Sequence, residues 1–333
     1  MKLSFIVVSY NEKEYLEQAV QSCLYQNVED SEIIIADDGS NDGSVELIKD
    51  LAHRYPDKIR YIIHDRSDVV PGKIIPPIRV SNGIKRALAI AKGRYCQMIS
   101  GDDFLYPGSF TADAVEFLEN NPEYSAYVGG HAIYYPDRPG SAYWAFYPKS
   151  LFWTGDYVHI SAFVYRKELF DNGGFLPRFC DDTGLHYSLL VTGKWYYAKD
   201  LVIGYRQRGG SIMHEADRLE LYVLELMLMQ DVLEHGKLPI QTRIRYARPM
   251  RYAFWNRKRL TDPKYAKYLE NCAQYPHNIL GEIAAYDQAG VLQKVKTVLK
   301  ISIASVMRAV LVVMIYGIRV LRKIRRIVLG IKK

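Results

Sequence analysis

Three pairs of neighbouring aspartates are the strongest candidates for chemistry in this sequence. They are Asp37-Asp38, Asp102-Asp103 and Asp181-Asp182. Adjacent carboxylates repel each other unless a cation or a hydrogen-bond donor relieves the repulsion. Mg²⁺ and Mn²⁺ prefer oxygen ligands and often link carboxylates to phosphates. The pairs therefore favour a hard divalent cation, although aspartates also serve in ordinary turns and helix caps.

The first two pairs directly follow predicted strands. The sequence predicts apolar strands at 3–8, 32–36, 59–64 and 95–99, and helices at 15–26, 45–51 and 80–91. This alternation predicts parallel βαβ units in a layered α/β fold. Ligands of such sheets bind beyond the carboxyl ends of the strands, so the residues just after each strand form the candidate site. The Pro- and Gly-rich stretch 65–77 predicts a loop.

The bulk composition sets limits on the class of protein. Of 333 residues, 49% are apolar and 24% are charged, which is an ordinary globular balance. The four cysteines are widely spaced without a CxxC pair, which argues against a zinc site and fits a reducing compartment. The strand-like start is not followed by a cleavage site, so no signal peptide is expected. The chain contains no P-loop, GxGxxG or HExxH motif.

Several short motifs occur together in a characteristic order. They are VVSYN at 7–11, ADDGS at 36–40, AKGRY at 91–95, SGDD at 100–103, GGF at 173–175, the Asp181-Asp182 pair, GKWYY at 193–197 and Tyr205-Arg206. The set resembles the family-two glycosyltransferases of the GT-A fold over about residues 1–212. The resemblance implies an α/β nucleotide-diphospho-sugar transferase fold, a Rossmann-like mixed sheet flanked by helices, followed here by a C-terminal helical extension.

The resemblance also implies how the donor is bound. Val8 and Tyr10 resemble the family's contacts to the nucleotide base, and Asp38 resembles the carboxylate that reads the base, usually uracil. Asp102 and Asp103 resemble the metal-binding aspartate motif, with Mn²⁺ or Mg²⁺ as the expected cofactor. The usual motif begins with an earlier Asp, where this chain has a serine at position 100. Which of the two aspartates binds the metal therefore remains open.

Further roles follow from the same resemblance. Asp182 resembles the catalytic base, which removes the proton of the acceptor hydroxyl in an inverting single displacement. Arg86 is a weaker candidate for a donor contact, and Arg206 or Arg208 is expected to bind the diphosphate bidentately. Pocket residues expected to face the acceptor are Trp153, His159 and Ser161.

The C-terminal tail carries the positive charge of the chain. Residues 293–333 contain eleven Lys or Arg and no Asp or Glu, whereas the first 292 residues have a net charge of −4. On a helix these basic residues fall on one half and apolar residues on the other, a pattern typical of helices that lie on anionic lipid. The fully apolar stretch at 309–318 is too short to span a bilayer, which favours a helix lying on the membrane. A membrane crossing, and a helix packed on the protein or on a partner, are the alternatives.

The sequence thus predicts a GT-A catalytic domain at 1–215, a helical extension at 216–292 and a membrane-associating helix at 293–333. The predicted activity is transfer of one sugar from a nucleotide-sugar donor to a glycan or lipid-linked acceptor in cell-surface polysaccharide assembly. The enzyme is expected to be peripheral, at the cytoplasmic face of the inner (plasma) membrane, and not to bind nucleic acid. The alternatives are a catalytically inactive nucleotide-sugar-binding or scaffold protein, and a transferase acting on polyprenyl phosphate.

Overall fold

The computed structural model describes residues 1–65, 76–135, 142–145, 159–170, 184–186, 188–189, 193–207, 217–234, 239–273 and 278–328. The chain divides into two units. The first contains the described residues up to Gln207, and the second contains those from Asp217 onwards.

The first unit is built on a nine-stranded mixed sheet. Its strands are β1 (Leu3–Ser9), β2 (Ser31–Asp37), β3 (Ile59–Ile63), β4 (Tyr95–Ser100), β5 (Phe104–Leu105), β6 (Tyr124–Tyr134), β7 (Ala142–Ala145), β8 (Phe163–Arg166) and β9 (Lys194–Arg206). They lie in the order β3-β2-β1-β4-β8-β6-β9-β5, and β7 pairs with β6. Helices flank the sheet, so the mixed α/β architecture predicted from the sequence is confirmed.

The four strands nearest the amino terminus are parallel, and their register brings their carboxyl ends together. β1 lies between β2 and β4, so that Val8 is opposite Ala36 on one side and Ser100 on the other. β3 runs parallel to β2 on its far side. β1, β2 and β4 are apolar and almost fully buried, as expected for a parallel sheet covered on both faces, whereas the edge strand β3 is only partly buried. The loops after β1, β2 and β4 therefore emerge side by side.

Four helices in the described part of the first unit pack around these strands. They are α1 (Lys13–Leu24), α2 (Ser44–Arg54), α3 (Pro76–Ile90) and α4 (Phe110–Asn120). α1 buries Leu16, Ala19, Val20 and Cys23, the helical spacing that the sequence predicts. The predicted loop at 65–77 extends too far, because α3 already begins at Pro76. Proline suits a first helical turn, where its missing N–H has no intrahelical partner to bond.

The second unit consists of helices and turns in its described part. Its helices are α5 (Arg218–Glu234), α6 (Pro239–Trp255), α7 (Ala266–Ala273), α8 (Ile279–Ala284) and α9 (Val291–Val328). α5 is the most buried of them, with an almost continuous buried run from Val223 to Leu233. α9 packs against α6. Arg259 and Tyr265 both bond the carboxylate of Asp217, which fixes the start of α5.

Candidate functional site

The loop after β1 is hydrogen-bonded to the loop after β2. Asn11 has a left-handed backbone with φ of 53°, which asparagine tolerates better than most residues. Its N–H donates to Oγ of Ser40 at 2.8 Å, and its side-chain oxygen accepts from the N–H of Asn41 at 2.9 Å. These bonds hold the turn that carries Tyr10, which is half-buried.

The two aspartates after β2 differ in their surroundings. Asp37 is buried, and its two oxygens accept from the N–H of Ser40 at 2.8 Å and from the hydroxyl of Ser40 at 2.6 Å. Asp38 is half-buried, and its N–H donates to the carbonyl of Ser9 at 3.0 Å. Asp37 thus closes the turn, while Asp38 lies at the sheet edge beside the end of β1. This position is compatible with the predicted reading of the base by Asp38.

The loop after β4 approaches β1 closely at Gly101. The N–H of Gly101 donates to the carbonyl of Val8 at 2.8 Å, and the N–H of Asp103 donates to the carbonyl of Ser100 at 3.0 Å. A Cβ atom at position 101 would overlap Oε2 of Glu12, which lies in the neighbouring loop. A larger residue here would have to displace the Glu12 side chain, so glycine favours this close approach, which brings Asp102 to the edge where Val8 ends.

Asp102 and Asp103 have very different environments. Asp102 is half-buried, whereas Asp103 is fully buried, with 0% exposure. Oδ1 of Asp103 accepts from the backbone N–H of Arg206 at 2.8 Å. Its Oδ2 lies 3.1 Å from Nε2 of His159, which is itself buried. Oδ1 of Asp103 is thus bonded within the protein, whereas its buried Oδ2 makes no hydrogen bond although it lies near His159.

The side chain of Arg206 is enclosed beneath the acidic loop, with only 6% exposure. Its guanidinium donates to the backbone carbonyl of Asp102 and, at 2.6 Å, to Oε1 of Gln18. The same guanidinium lies near three aromatic rings. The distances from its Cζ to the ring centroids are 4.5 Å for Tyr15, 5.4 Å for Phe104 and 5.9 Å for Tyr134. These contacts support the loop. They leave little exposed surface on the Arg206 guanidinium for the diphosphate contact that the sequence predicts.

Arg86 lies on the exposed face of α3 at the same end of the sheet. It contacts Nδ1 of His64, the residue that follows β3. The N–H of His64 donates to the carbonyl of Asp37 at 2.9 Å, which ties this contact to the end of β2. An exposed arginine at this edge is compatible with the predicted donor contact.

A divalent cation fits the donor set in one specific way. Among the described residues, no three His, Cys, Asp or Glu side chains form a group that could enclose a metal ion. Mg²⁺ is commonly held by one or two carboxylates together with substrate phosphates rather than by an all-protein cage. The half-buried carboxylate of Asp102 matches that mode of binding, and the buried Oδ2 of Asp103, which makes no hydrogen bond, is a second oxygen donor in the same loop.

Other predicted site residues fall outside this cluster. Asp182, Asp181, Arg208 and Trp153 lie outside the described residues, so their roles stay predictions. His159 and Ser161, which the sequence suggests as acceptor-facing, are instead buried within the first unit. That suggestion is wrong, because a side chain without exposed surface cannot touch an acceptor.

The contacts of Gln18 and Tyr15 with Arg206, and of His159 with Asp103, were not foreseen from the sequence. Gln18 is 188 positions from Arg206, and no local pattern links them. His131 lies near His159, with ring centroids 5.9 Å apart. Burial first, and His159 second, lower the pKa of His131 to about 4. The His131 ring is therefore neutral at pH 7.

Comparisons with known proteins agree with this architecture. Glycosyl transferase family 2 matches residues 4–176. A Mycobacterium tuberculosis protein is 27% identical over 228 residues, covering 64% of this chain and 61% of that protein, so the chain spans less than two thirds of this relative. The structure of TarS from S. aureus in complex with UDP-GlcNAc has a TM-score of 0.56 at 15% identity, covering 89% of both chains. Mannosyltransferase PcManGT from Pyrobaculum calidifontis, in complex with GDP-Man and Mn²⁺, has a TM-score of 0.52 at 17% identity, covering 92% of this chain and 87% of that one. These structural likenesses confirm the predicted GT-A fold.

Proposed function

Because the chain belongs to glycosyl transferase family 2, we propose that it transfers a single sugar from a UDP-linked donor to a glycan or lipid-linked saccharide. The observation that carries this proposal is the convergence of three loops at one edge of the sheet. These loops follow β1, β2 and β4, and they hold Tyr10, Asp38 and Asp102. TarS and PcManGT, whose structures contain UDP-GlcNAc and GDP-Man with Mn²⁺, support a nucleotide-sugar donor.

Each of these loops has a distinct part in the proposed donor site. Val8 and Tyr10 contact the base, and Asp38 accepts a hydrogen bond from its ring N–H. A base that cannot donate to this half-buried carboxylate leaves it unpaired and is disfavoured, which gives discrimination. Arg86 approaches the donor from α3. Asp102 holds the divalent cation, Mn²⁺ or Mg²⁺, which when bound offsets the negative charge of the diphosphate leaving group.

Asp182 is the proposed catalytic base. A sugar hydroxyl is a weak nucleophile until its proton is removed, and a carboxylate within hydrogen-bond reach removes it. The hydroxyl oxygen then forms a bond to the anomeric carbon as the bond to the diphosphate breaks. Attack from the face opposite the leaving group inverts the anomeric centre, and no covalent enzyme intermediate forms.

The test is the release of nucleoside diphosphate from a panel of UDP-, GDP- and dTDP-sugars with Mn²⁺ and membrane-extracted acceptors. We expect turnover with a UDP-sugar, and mass spectrometry of the acceptor should show the added mass of one sugar. Asp182→Asn should abolish turnover and leave UDP binding unchanged. Release of no nucleotide from any donor, with UDP still bound, would favour a binding or scaffold protein instead.

The acceptor is proposed to reach the enzyme at a membrane. The stretch Val291–Met314 of α9 is long and apolar enough to cross a bilayer, judged by length and composition alone. One face of this helix is buried in the second unit through Thr297, Ile301 and Ala304. The opposite face presents an exposed apolar row at helical spacing, formed by Leu292, Val295, Leu299, Ile303, Val306, Val310 and Val313.

The packing and charge around α9 favour a helix that lies on the lipid surface over one that crosses the bilayer. α9 packs against α6, which carries four arginines within 17 residues and cannot enter hydrocarbon. Lys300 pairs with Glu282 at 2.6 Å, which adds charge to the same part of the helix. We therefore propose a peripheral enzyme on the cytoplasmic face of the inner membrane, with the row in the lipid interface and basic residues near anionic headgroups.

A further inference from the structure

The exposed side of α6 carries positive charge that the proposed sugar transfer does not use. Side chains at multiples of four residues form ridges along a helix, and two neighbouring ridges of α6 hold its exposed side chains. One ridge carries Arg243, Arg251 and Trp255, and the other carries Ile240 and Arg248. We propose that these five residues, the α6 face, bind the phosphate headgroups of an anionic membrane. This inference rests on the proposed peripheral enzyme and adds a second lipid contact beside the row on α9.

The first support is that the arginines of the α6 face are not neutralised within the protein. Among the described residues, none of the three pairs with Asp or Glu, and α6 itself contains no acidic residue. The next arginine along the chain is paired, by contrast, because Arg257 bonds Asp287 at 2.8 Å. Arg248 lies over the ring of Tyr222, with its Cζ 5.8 Å from the centroid. An arginine without a carboxylate partner is suited to bidentate binding of phosphate oxygens.

The second support is the exposure of large apolar side chains on the same face. Trp255 is 74% exposed and Ile240 is 55% exposed. Tryptophan is enriched where membranes meet water, because its ring is apolar while its N–H can still bond to polar groups. The two apolar side chains lie at opposite ends of α6, with the three arginines between them. This mixture of apolar and basic groups is typical of surfaces that lie in the headgroup region of a bilayer.

The third support is that the end of α6 adjoins the start of α9. The ring of Phe254 contacts that of Tyr286, in the turn before α9, with centroids 4.8 Å apart. Nζ of Lys294, in the first turn of α9, lies 5.8 Å from the same Tyr286 ring. Nearby, Val291 and Leu292 are 80% and 70% exposed. The C-terminal end of the α6 face therefore lies near the N-terminal end of the exposed apolar row.

A membrane fits this combination of surfaces better than an acidic protein does. The row on α9 extends from Leu292 to Val313, and the α6 face adds positive charge beside its start. A bilayer with anionic lipid offers an apolar layer and negative phosphates along one continuous surface. A protein partner would need a long apolar groove directly beside an acidic patch. The α6 face is therefore assigned to lipid headgroups.

The experiment measures co-sedimentation of the full chain with two kinds of vesicle. One kind is pure phosphatidylcholine, and the other is an equal mixture of phosphatidylcholine and phosphatidylglycerol. Replacing Arg243, Arg248 and Arg251 together by glutamine should weaken binding to the mixed vesicles roughly 100-fold, because each basic group near the surface contributes about fivefold. Binding of this triple variant to pure phosphatidylcholine should change little, since that surface carries no net charge. High salt should remove the difference between the triple variant and the unaltered protein.

The matched control removes the same charge from the first unit. Lys2, Lys49 and Lys92 are exposed there, and none of them is part of the proposed donor site. Replacing all three by glutamine should leave binding to both kinds of vesicle almost unchanged. Both triple variants should unfold at the same urea concentration as the unaltered protein, because the substituted side chains are exposed.

A second measurement tests the position of Trp255 directly. Lipids with brominated acyl chains quench tryptophan fluorescence only at short range. Part of the quenching seen with the unaltered protein should therefore disappear in Trp255→Phe. Equal quenching of the two proteins would place the indole outside the lipid interface and overturn the assignment of the α6 face.

The outcomes separate this inference from the proposed function. Unweakened binding of the arginine variant to mixed vesicles, or an equal fall in the lysine control, would overturn the α6 contact and leave the row on α9 standing. Failure of the unaltered protein to bind either kind of vesicle would overturn the peripheral location and the α6 contact together. Nucleoside diphosphate release with a detergent-dispersed acceptor tests the sugar transfer separately, and the arginine variant should retain it.

Discussion

Replacing Leu299 and Val306 by serine removes two apolar side chains from the middle of the exposed row on α9. Leu299 is 52% exposed and Val306 is 62% exposed, and both project away from the face that packs on the second unit. The substitutions therefore leave the core of that unit intact. If the row enters the lipid interface, these side chains lose most of their contact with water on binding.

The size of the effect follows from the exposed fractions. Full burial of a Leu or Val side chain is worth about 1.5–3 kcal/mol, so a side chain that is half exposed before binding gains about 1 kcal/mol from lipid. The double substitution therefore costs about 2 kcal/mol of lipid-binding free energy. This corresponds to a roughly 30-fold lower partition coefficient into vesicles. Because α9 also carries basic residues, the remaining binding should weaken further as salt is raised.

The assay is co-sedimentation with vesicles of neutral lipid and of mixed neutral and anionic lipid. Tyr25→Ser provides the matched control, since Tyr25 is 71% exposed but lies in the first unit. Unchanged partition of the double variant, or an equal fall in the control, would refute lipid contact through the row. If the row instead joins two copies of the chain, the double variant would lose self-association in the absence of lipid, which sedimentation velocity detects.

Three further outcomes are expected. Glu32→Gln should lower the free energy of unfolding by about 2 kcal/mol at pH 7, as measured by urea unfolding. Burial would raise the pKa of Glu32, but the surrounding donors lower it overall, so this stability is present above about pH 4.5 and is lost as pH falls through the lowered folded pKa. Asp38→Asn should weaken UDP binding roughly 10- to 100-fold and reduce preference for uracil over other bases, as titration with several nucleotides would reveal. Gly101→Ala should lower kcat a few-fold, because its Cβ would push the Glu12 side chain aside and crowd the Val8 carbonyl at 3.2 Å, whereas Gly108→Ala, which meets nothing within 4 Å, should have no effect.

The sequence predicts the first part of the fold well because local patterns determine it. The predicted strands and helices up to 99 match β1 to β4 and α1 to α3 within a few residues, apart from the early start of α3 at Pro76. Parallel order then follows from the alternation of strands and helices, and it predicts the shared edge of Asp38 and Asp102. The pairing of Asp103 with His159 is different. It joins positions 56 residues apart through antiparallel strands whose order no local pattern specifies.

The two units differ in charge, and the helical unit carries basic residues on α6 as well as in the tail. Residues 1–216 contain 22 Lys or Arg and 28 Asp or Glu, a net of −6, whereas residues 217–333 contain 22 and 9, a net of +13. Residues 293–333 contribute +11 of this charge and residues 217–292 only +2, but within the latter α6 has four arginines and no acidic residue, so basic charge is also concentrated on a second helix. Because an anionic surface attracts the basic unit and repels the acidic one, it would orient the enzyme as well as bind it. Neutralising exposed arginines of α6 should then weaken vesicle binding even with α9 intact, and a tail-only mechanism predicts no such effect.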